Sequence, residues 1–309
     1  MKKYFLILFS ISILMGGMFY YFVELPRRFE QKTYFHNFVT NNYEQSPELR
    51  NNDLNKRILV PLLLNHPINF LTKFVGYHRA FEGIFLIFDI FSSFLFTFSL
   101  FLLCSIWFPS EKCFTIILFS SLLFIFTFKS FVAAPWDLIQ PGLFALGLYL
   151  IYKEKLFWFL IVLIISTINR STSIFLPIVF LLYNFRKQWL KTFIVFLTFG
   201  IVILFLTWLK GKTTLVSPFQ TIISNLRSPF NLINGILDVT IMVFPCLVIY
   251  FQKSGNKLPP FLKICILTLP LWAFLFIFFK RYTEISFLPQ IFPFFIPSLF
   301  YLSKIGIQK

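Results

Sequence analysis

Apolar runs near the length needed to cross a bilayer recur along this chain from end to end, and no other feature narrows its fold as much. A helix needs about 20 consecutive apolar residues to span hydrocarbon. Threading the sequence on that rule gives about ten spans, at roughly 4–23, 83–107, 113–131, 138–152, 156–168, 172–185, 192–208, 236–252, 259–279 and 287–303. Of 309 residues, 58% are hydrophobic and 48 are Phe, more than a water-facing surface accommodates. A transmembrane barrel requires period-2 alternation in segments of about ten residues. Stretches 94–108 and 192–209 are apolar nearly all round, so the barrel fails. The expected fold class is all-α, a polytopic transmembrane helical bundle forming a single domain over residues 1–309.

The turns at 109–112, 153–155, 186–191 and 253–257, and the tail from Lys304, fall on one side with Lys2 and Lys3. They are short and mostly basic, which places both termini in the cytoplasm by the positive-inside rule. Residues 1–23 do not read as a cleaved leader, because the apolar stretch is long, ends in bulky Phe and Tyr, and lacks a small-x-small site. Two segments on the other side interrupt the rhythm of short turns. In the first, 24–80, Phe29, Tyr34, Phe35, Phe38, Val39 and Tyr43 recur every four or five residues, as in an amphipathic interfacial helix. There Ser46-Pro47 has the look of a helix start, and the apolar stretch 58–64 is too short to span. The second, 209–235, carries Pro218 and Pro229. Loops of this length are often functional.

Charge outside the cytoplasmic turns gathers at that same extracytoplasmic side. Glu30, Arg57, Glu82, Asp137, Arg170, Asp238, Lys280, Arg281 and Glu284 lie far apart in sequence, yet each falls at the corresponding end of an apolar span. Ionisable groups at membrane depth are costly and mark functional sites. The net charge of +16 does not indicate nucleic acid, since the basic residues are scattered through short loops and no soluble domain carries a patch. Lipid headgroups or phosphate-bearing substrates are the better match.

Each candidate has a plainer reading beside the chemical one. Glu30 on an interfacial helix is placed to act as a general base, or pairs with Arg27 or Arg28. Arg57 suits a phosphate fork or an ordinary snorkelling anchor. Asp137 either caps the helix that follows or works in a site, and the two are compatible. The tight turn Asn169-Arg170-Ser171 fixes Arg170 at the rim of the bundle, and Lys280-Arg281-Tyr282-Thr283-Glu284 forms a second rim turn or a self-neutralising ion pair. Asp89 lies within the second span, where an interhelical hydrogen bond competes with a functional role. His36, His66 and His78 lack metal-ligand spacing. Cys104, Cys113, Cys246 and Cys265 read as small packing residues. No phosphate-binding loop, nucleophile elbow or dinucleotide fingerprint is present.

Taken in order, these elements resemble the GT-C superfamily of membrane glycosyltransferases, particularly bacterial enzymes using polyprenyl-phosphate sugars. The matching elements are Phe29-Glu30-Gln31-Lys32-Thr33-Tyr34 after the first span and Arg57-Ile58-Leu59-Val60-Pro61-Leu62 ending the first outer loop. Asp137-Leu138 precedes a Leu-rich span, Asn169-Arg170-Ser171 precedes Leu176-Pro177, and Glu284-Ile285-Ser286 precedes Pro289 and Pro293. Ser171 and Ser286 depart from the family pattern, which often has Glu and Arg there, and Glu30 replaces the more usual Asp. The resemblance implies inverting sugar transfer to an envelope glycan, lipid or protein acceptor at the bacterial plasma membrane. It implies Glu30 as base and Asp137 as helper or metal ligand. Arg57, Asn169, Arg170, Lys280, Arg281 and Glu284 then form the substrate-binding set. Carboxylates can hold Mg²⁺ or Mn²⁺, which the sequence does not require. A lipid-linked glycan transporter and a non-catalytic component of polysaccharide assembly are the competing readings. An alkaline phosphatase fusion after residue 50 is expected to be active and a cytoplasmic reporter there silent. The reverse pattern overturns the orientation.

Overall fold

The computed structural model describes residues 2–21, 59–130, 138–184, 188–209, 258–272 and 288–307. Within them the chain is helical and contains no strand. The α-helices are α1 (Lys2–Phe19), α2 (Leu59–Val75), α3 (Tyr77–Cys104), α4 (Ser110–Ser130) and α5 (Ile139–Tyr152). They continue with α6 (Leu156–Asn169), α7 (Phe175–Asn184), α8 (Trp189–Leu209), α9 (Pro260–Leu267) and α10 (Leu288–Ile307), and a 3-10 turn, Ser171–Ile174, joins α6 to α7. Two helices, Tyr77–Cys104 and Trp189–Trp208, are long and apolar enough to cross a membrane; several shorter apolar helices accompany them.

Two boundaries differ from the hydropathy reading. The stretch that sequence ended at Leu64 continues as helix to Val75. Asn65, His66 and Pro67 look like a break, but Val60, Leu64 and Ile68 stay buried on one face, four residues apart. On the exposed side the Asn69 amide donates to Asn65 Oδ1 at 2.8 Å. The second span begins at Tyr77 rather than near 83, because polar and aromatic residues continue the helix beyond its apolar centre. The segments around the first amphipathic helix, the 236–252 span and residues 209–235 beyond Leu209 lie outside the described residues.

Helix α3 is the spine of the bundle, packed against α1, α2, α4 and α5. Its closest approaches are made by glycine. A Cβ on Gly142 of α5 would stand 2.8 Å from the Phe96 backbone nitrogen, and one on Gly16 of α1 would stand 2.7 Å from the Ile90 Cα. Glycine at these two points lets backbones meet where any side chain would force them apart, as in helix pairs within lipid. Between α1 and α3 the buried hydroxyls of Ser12 and Thr97 lie 2.8 Å apart in a hydrogen bond.

A Schellman turn folds α5 back onto α6. The Lys155 N–H donates to the Leu150 carbonyl at 3.0 Å and the Glu154 N–H to the Ile151 carbonyl at 3.1 Å. Glu154 occupies the left-handed position usually given to glycine, with φ 55°, at a cost of about 1–2 kcal/mol. Chain reversal here sets the far ends of α5 and α6 side by side.

Aromatic contacts fix which helix ends share a pole. Trp107, just beyond α3, meets Tyr152 at 5.3 Å and Phe261 at 6.1 Å, and Tyr183 meets Phe261 at 4.9 Å. The ends of α3, α5 and α7 and the start of α9 therefore converge, with Lys153 Nζ 6.0 Å from the Tyr152 ring. Tyr4 against Phe101 and Tyr301 against Phe108 bring the start of α1 and the end of α10 to that pole. The opposite pole receives the starts of α3, α5 and α10 and the end of α6. In the core, Trp272 stacks on Phe175 and is edge-on to Phe144 and Phe294.

The outer face of α8 is apolar along its length: Trp189, Phe193, Leu197, Ile201, Leu204 and Trp208 are all exposed. A stripe of that extent belongs against lipid or a partner rather than water. Gly142→Val is expected to lower the melting temperature of the purified protein, corresponding to an overpacking cost of roughly 1–3 kcal/mol. Gly17→Ala, where nothing lies within 4 Å, is expected to melt like wild type.

Candidate functional site

The pole where α5 and α10 begin and α6 ends holds a connected set of buried polar side chains. Gln140, in the first turn of α5, donates through Nε2 to Ser166 Oγ at 2.7 Å. Its Oε1 accepts from Asn169 Nδ2 at 2.8 Å. One amide thus ties two points, one turn apart on α6, to the start of α5. The pair works only because the turn at Glu154 returns α6 antiparallel to α5.

Arg170 follows directly. Its backbone is extended, φ −156° and ψ 135°, which stops α6. Its N–H still donates to the Ser166 carbonyl at 2.8 Å, and its carbonyl accepts from the Ser173 N–H at 3.1 Å. The residue is 5% exposed, so its guanidinium is a charge held out of solvent. A buried cation is tolerated only among hydrogen-bond acceptors or opposite charge. It also stands beyond the C-terminus of α6, where the helix dipole favours a cation.

The 3-10 turn carries the network onward. Ser173 Oγ donates to Thr167 Oγ1 at 2.9 Å, pinning the turn to the last turn of α6. Thr172 Oγ1 donates to Gln290 Oε1 at 3.0 Å. Gln290 lies in the first turn of α10 and is fully buried. Among the described residues its amide nitrogen meets no acceptor. The site is therefore built from the starts of α5 and α10, both positive dipole ends, closed around the Asn169-Arg170 turn.

Two of the sequence candidates, Asn169 and Arg170, are thus placed, and together. Glu30, Arg57, Asp137, Lys280, Arg281 and Glu284 lie outside the described residues. Sequence reasoning missed Gln140, Ser166, Thr167, Thr172, Ser173 and Gln290. A usable signal existed: Gln140 comes three residues after Asp137 and Gln290 six after Glu284, each a polar residue inside an otherwise apolar span. Reading by charge alone passed over neutral amides.

Asp89 is fully buried near the middle of α3, where it heads a polar stripe through Ser93 and Thr97 to Ser12 of α1. Leu8, Leu100 and Cys104, further toward the other pole, are buried and apolar. The groove between α1 and α3 at that pole is lined by Tyr4, Phe5, Leu6, Leu8, Phe98, Phe101 and Leu102, whose one polar group is the Tyr4 phenol. Among the described residues no three His, Cys, Asp or Glu side chains gather as a metal site would require. Cys104, Cys113 and Cys265 are buried thiols that serve packing.

No protein-family model, no curated protein and no solved structure matches this chain. Gln140→Leu strands the hydrogen-bonding groups of Asn169 and Ser166 in a buried site, at a cost of about 1–3 kcal/mol. It is expected to lower the melting temperature clearly more than the exposed substitution Asn65→Ala does.

Proposed function

We propose that this chain is a polytopic membrane glycosyltransferase that moves a sugar from a polyprenyl-phosphate donor to an envelope glycan, lipid or protein acceptor. The observation that carries the reading is the buried Arg170, fixed by Gln140, Asn169 and Ser173 at a pole where two helix starts converge. Arginine is a planar, always-charged donor matched to phosphate oxygens, and lipid-borne phosphate is an anion that arrives from the membrane. The apolar exposed face of α8 supports embedding in lipid. The order of motifs from Glu30 to Glu284 supports the GT-C family, whose members carry acid, base and phosphate-binding groups on one side of the membrane.

In this mechanism Glu30 removes the proton from an acceptor hydroxyl as its oxygen attacks the sugar anomeric carbon. The bond from that carbon to the donor phosphate oxygen breaks, and the configuration inverts. Arg57 and Arg170 hold the departing lipid phosphate, with Lys280 or Arg281 assisting. Asn169 and Glu284 contact substrate, and Asp137 supports the acid–base step. A transporter reading needs a polar route through the bundle.

Glu30→Gln is expected to abolish transfer from a polyprenyl-phosphate sugar while membrane insertion and melting temperature stay at wild-type values. Transfer at the wild-type rate by that variant removes the base assignment. No transfer by the wild-type protein across a panel of polyprenyl-phosphate hexoses and pentoses removes the enzymatic reading and leaves a non-catalytic role.

A further inference from the structure

The groove between α1 and α3 encloses about 580 Å³, within the size range of sites that hold small ligands. Leu8, 1% exposed, closes its floor, and Phe5 and Leu6, 50% and 64% exposed, stand at its open rim. Ring contacts brace the walls: Tyr4 lies 6.1 Å from Phe101, Phe5 5.4 Å from Phe94, and Phe94 5.6 Å from Phe98. On α1 the lining runs only from Tyr4 to Leu8, about 6 Å of helix rise. That is one turn, too short a seam for a partner helix but enough for the upper part of a hydrocarbon chain. Apart from the Tyr4 phenol the lining offers carbon alone, so a polar ligand gains nothing by entering it.

Positive charge collects where the groove reaches the pole. Lys2 and Lys3 are the first two residues of α1, and no acid occupies its first turn. Cations at a helix start oppose the helix dipole, so the pair does not serve the stability of α1. Tyr4 also lies 5.4 Å from Phe114, which brings the start of α4 alongside, and Lys112 there is exposed. Glu111 offsets one of these three charges. An apolar slot with positive charge at its mouth is complementary to a molecule that is hydrocarbon along its length and anionic at its head.

We propose that this groove binds an anionic glycerophospholipid of the cytoplasmic leaflet. One acyl chain lies between α1 and α3, with its phosphate at the helix starts that carry Lys2, Lys3 and Lys112. This rests on the membrane embedding and orientation of the chain, not on sugar transfer. The site stands at the opposite end of the bundle from Asn169 and Arg170.

The test is native mass spectrometry of the full chain in detergent, with dioleoyl phosphatidylglycerol and dioleoyl phosphatidylcholine added at equal concentration and melting temperature followed in parallel. The wild type is expected to retain phosphatidylglycerol about tenfold or more over phosphatidylcholine. Lys2→Gln combined with Lys3→Gln is expected to cut that preference roughly fivefold per lysine, leaving phosphatidylcholine retention and melting unchanged. Leu102→Trp fills the groove and is expected to lower retention of both lipids. Leu6→Trp, at the exposed rim, is the second variant should the first lower the melting temperature.

Equal retention of the two phospholipids by the wild type overturns the proposal, as does wild-type phosphatidylglycerol retention in both groove variants. Displacement of phosphatidylglycerol by an equal concentration of polyprenyl phosphate assigns the groove to a different lipid and overturns it too. A wild type that transfers no sugar but keeps the phosphatidylglycerol preference bears the site out and removes only the enzymatic reading.

Discussion

The meeting of α3 with α5 at Gly142 is the contact on which the rest of the described structure depends. A glycine set against the Phe96 backbone lets α5 lie flush on the spine helix. Everything at the polar pole follows from that seating. Gln140 is two residues before Gly142 on the same helix, and Gln140 ties down Ser166 and Asn169. Both buried apolar clusters also draw on this pair: Phe85, Leu143 and Phe144 belong to one, Phe96, Leu138 and Ala145 to the other. The contact therefore organises the apolar interior and the candidate site at once.

The polar pole is costly in the way functional sites usually are. A buried guanidinium and an unsatisfied amide sit at the end of a bundle whose interior is mostly Phe, Leu and Ile. A structure selected only for stability would place apolar groups there. Neutral hydrogen bonds instead stiffen the turn around Arg170 through three separate ties, from Ser173, Gln140 and Thr172. The polar stripe from Asp89 differs in kind: the hydrogen bond between Ser12 and Thr97 within it joins two helices rather than several.

Much of the helix layout was legible because hydropathy and helix period report the same physical demand. Spans near 138–152, 156–168 and 192–208 match α5, α6 and α8 closely, since each is apolar all round and bounded by Lys, Arg or a turn. Leu59–Val75 was misjudged because Asn65, His66 and Pro67 mask a face on which Val60, Leu64 and Ile68 remain in register. Of the site, Asn169 and Arg170 were legible because charge in a tight apolar turn is conspicuous. Gln140 and Gln290 were not, since a neutral amide carries no sign of whether it faces lipid, water or a partner until the helices are placed.

Composition and periodicity by themselves determined that the described chain is helical, where most helices begin and end, and that ionisable residues collect between particular spans. Those properties are local, set by the backbone's need for internal hydrogen bonds and by the apolar character of each run. Only the tertiary structure decided which helix ends meet. It joined Gln140 to residues 26 and 29 positions away and Thr172 to a residue 118 positions away. Those pairings depend on the angle of the turn at Glu154 and on where glycine lets two backbones touch. Neither is encoded in any one segment, because each is a property of two surfaces fitted together.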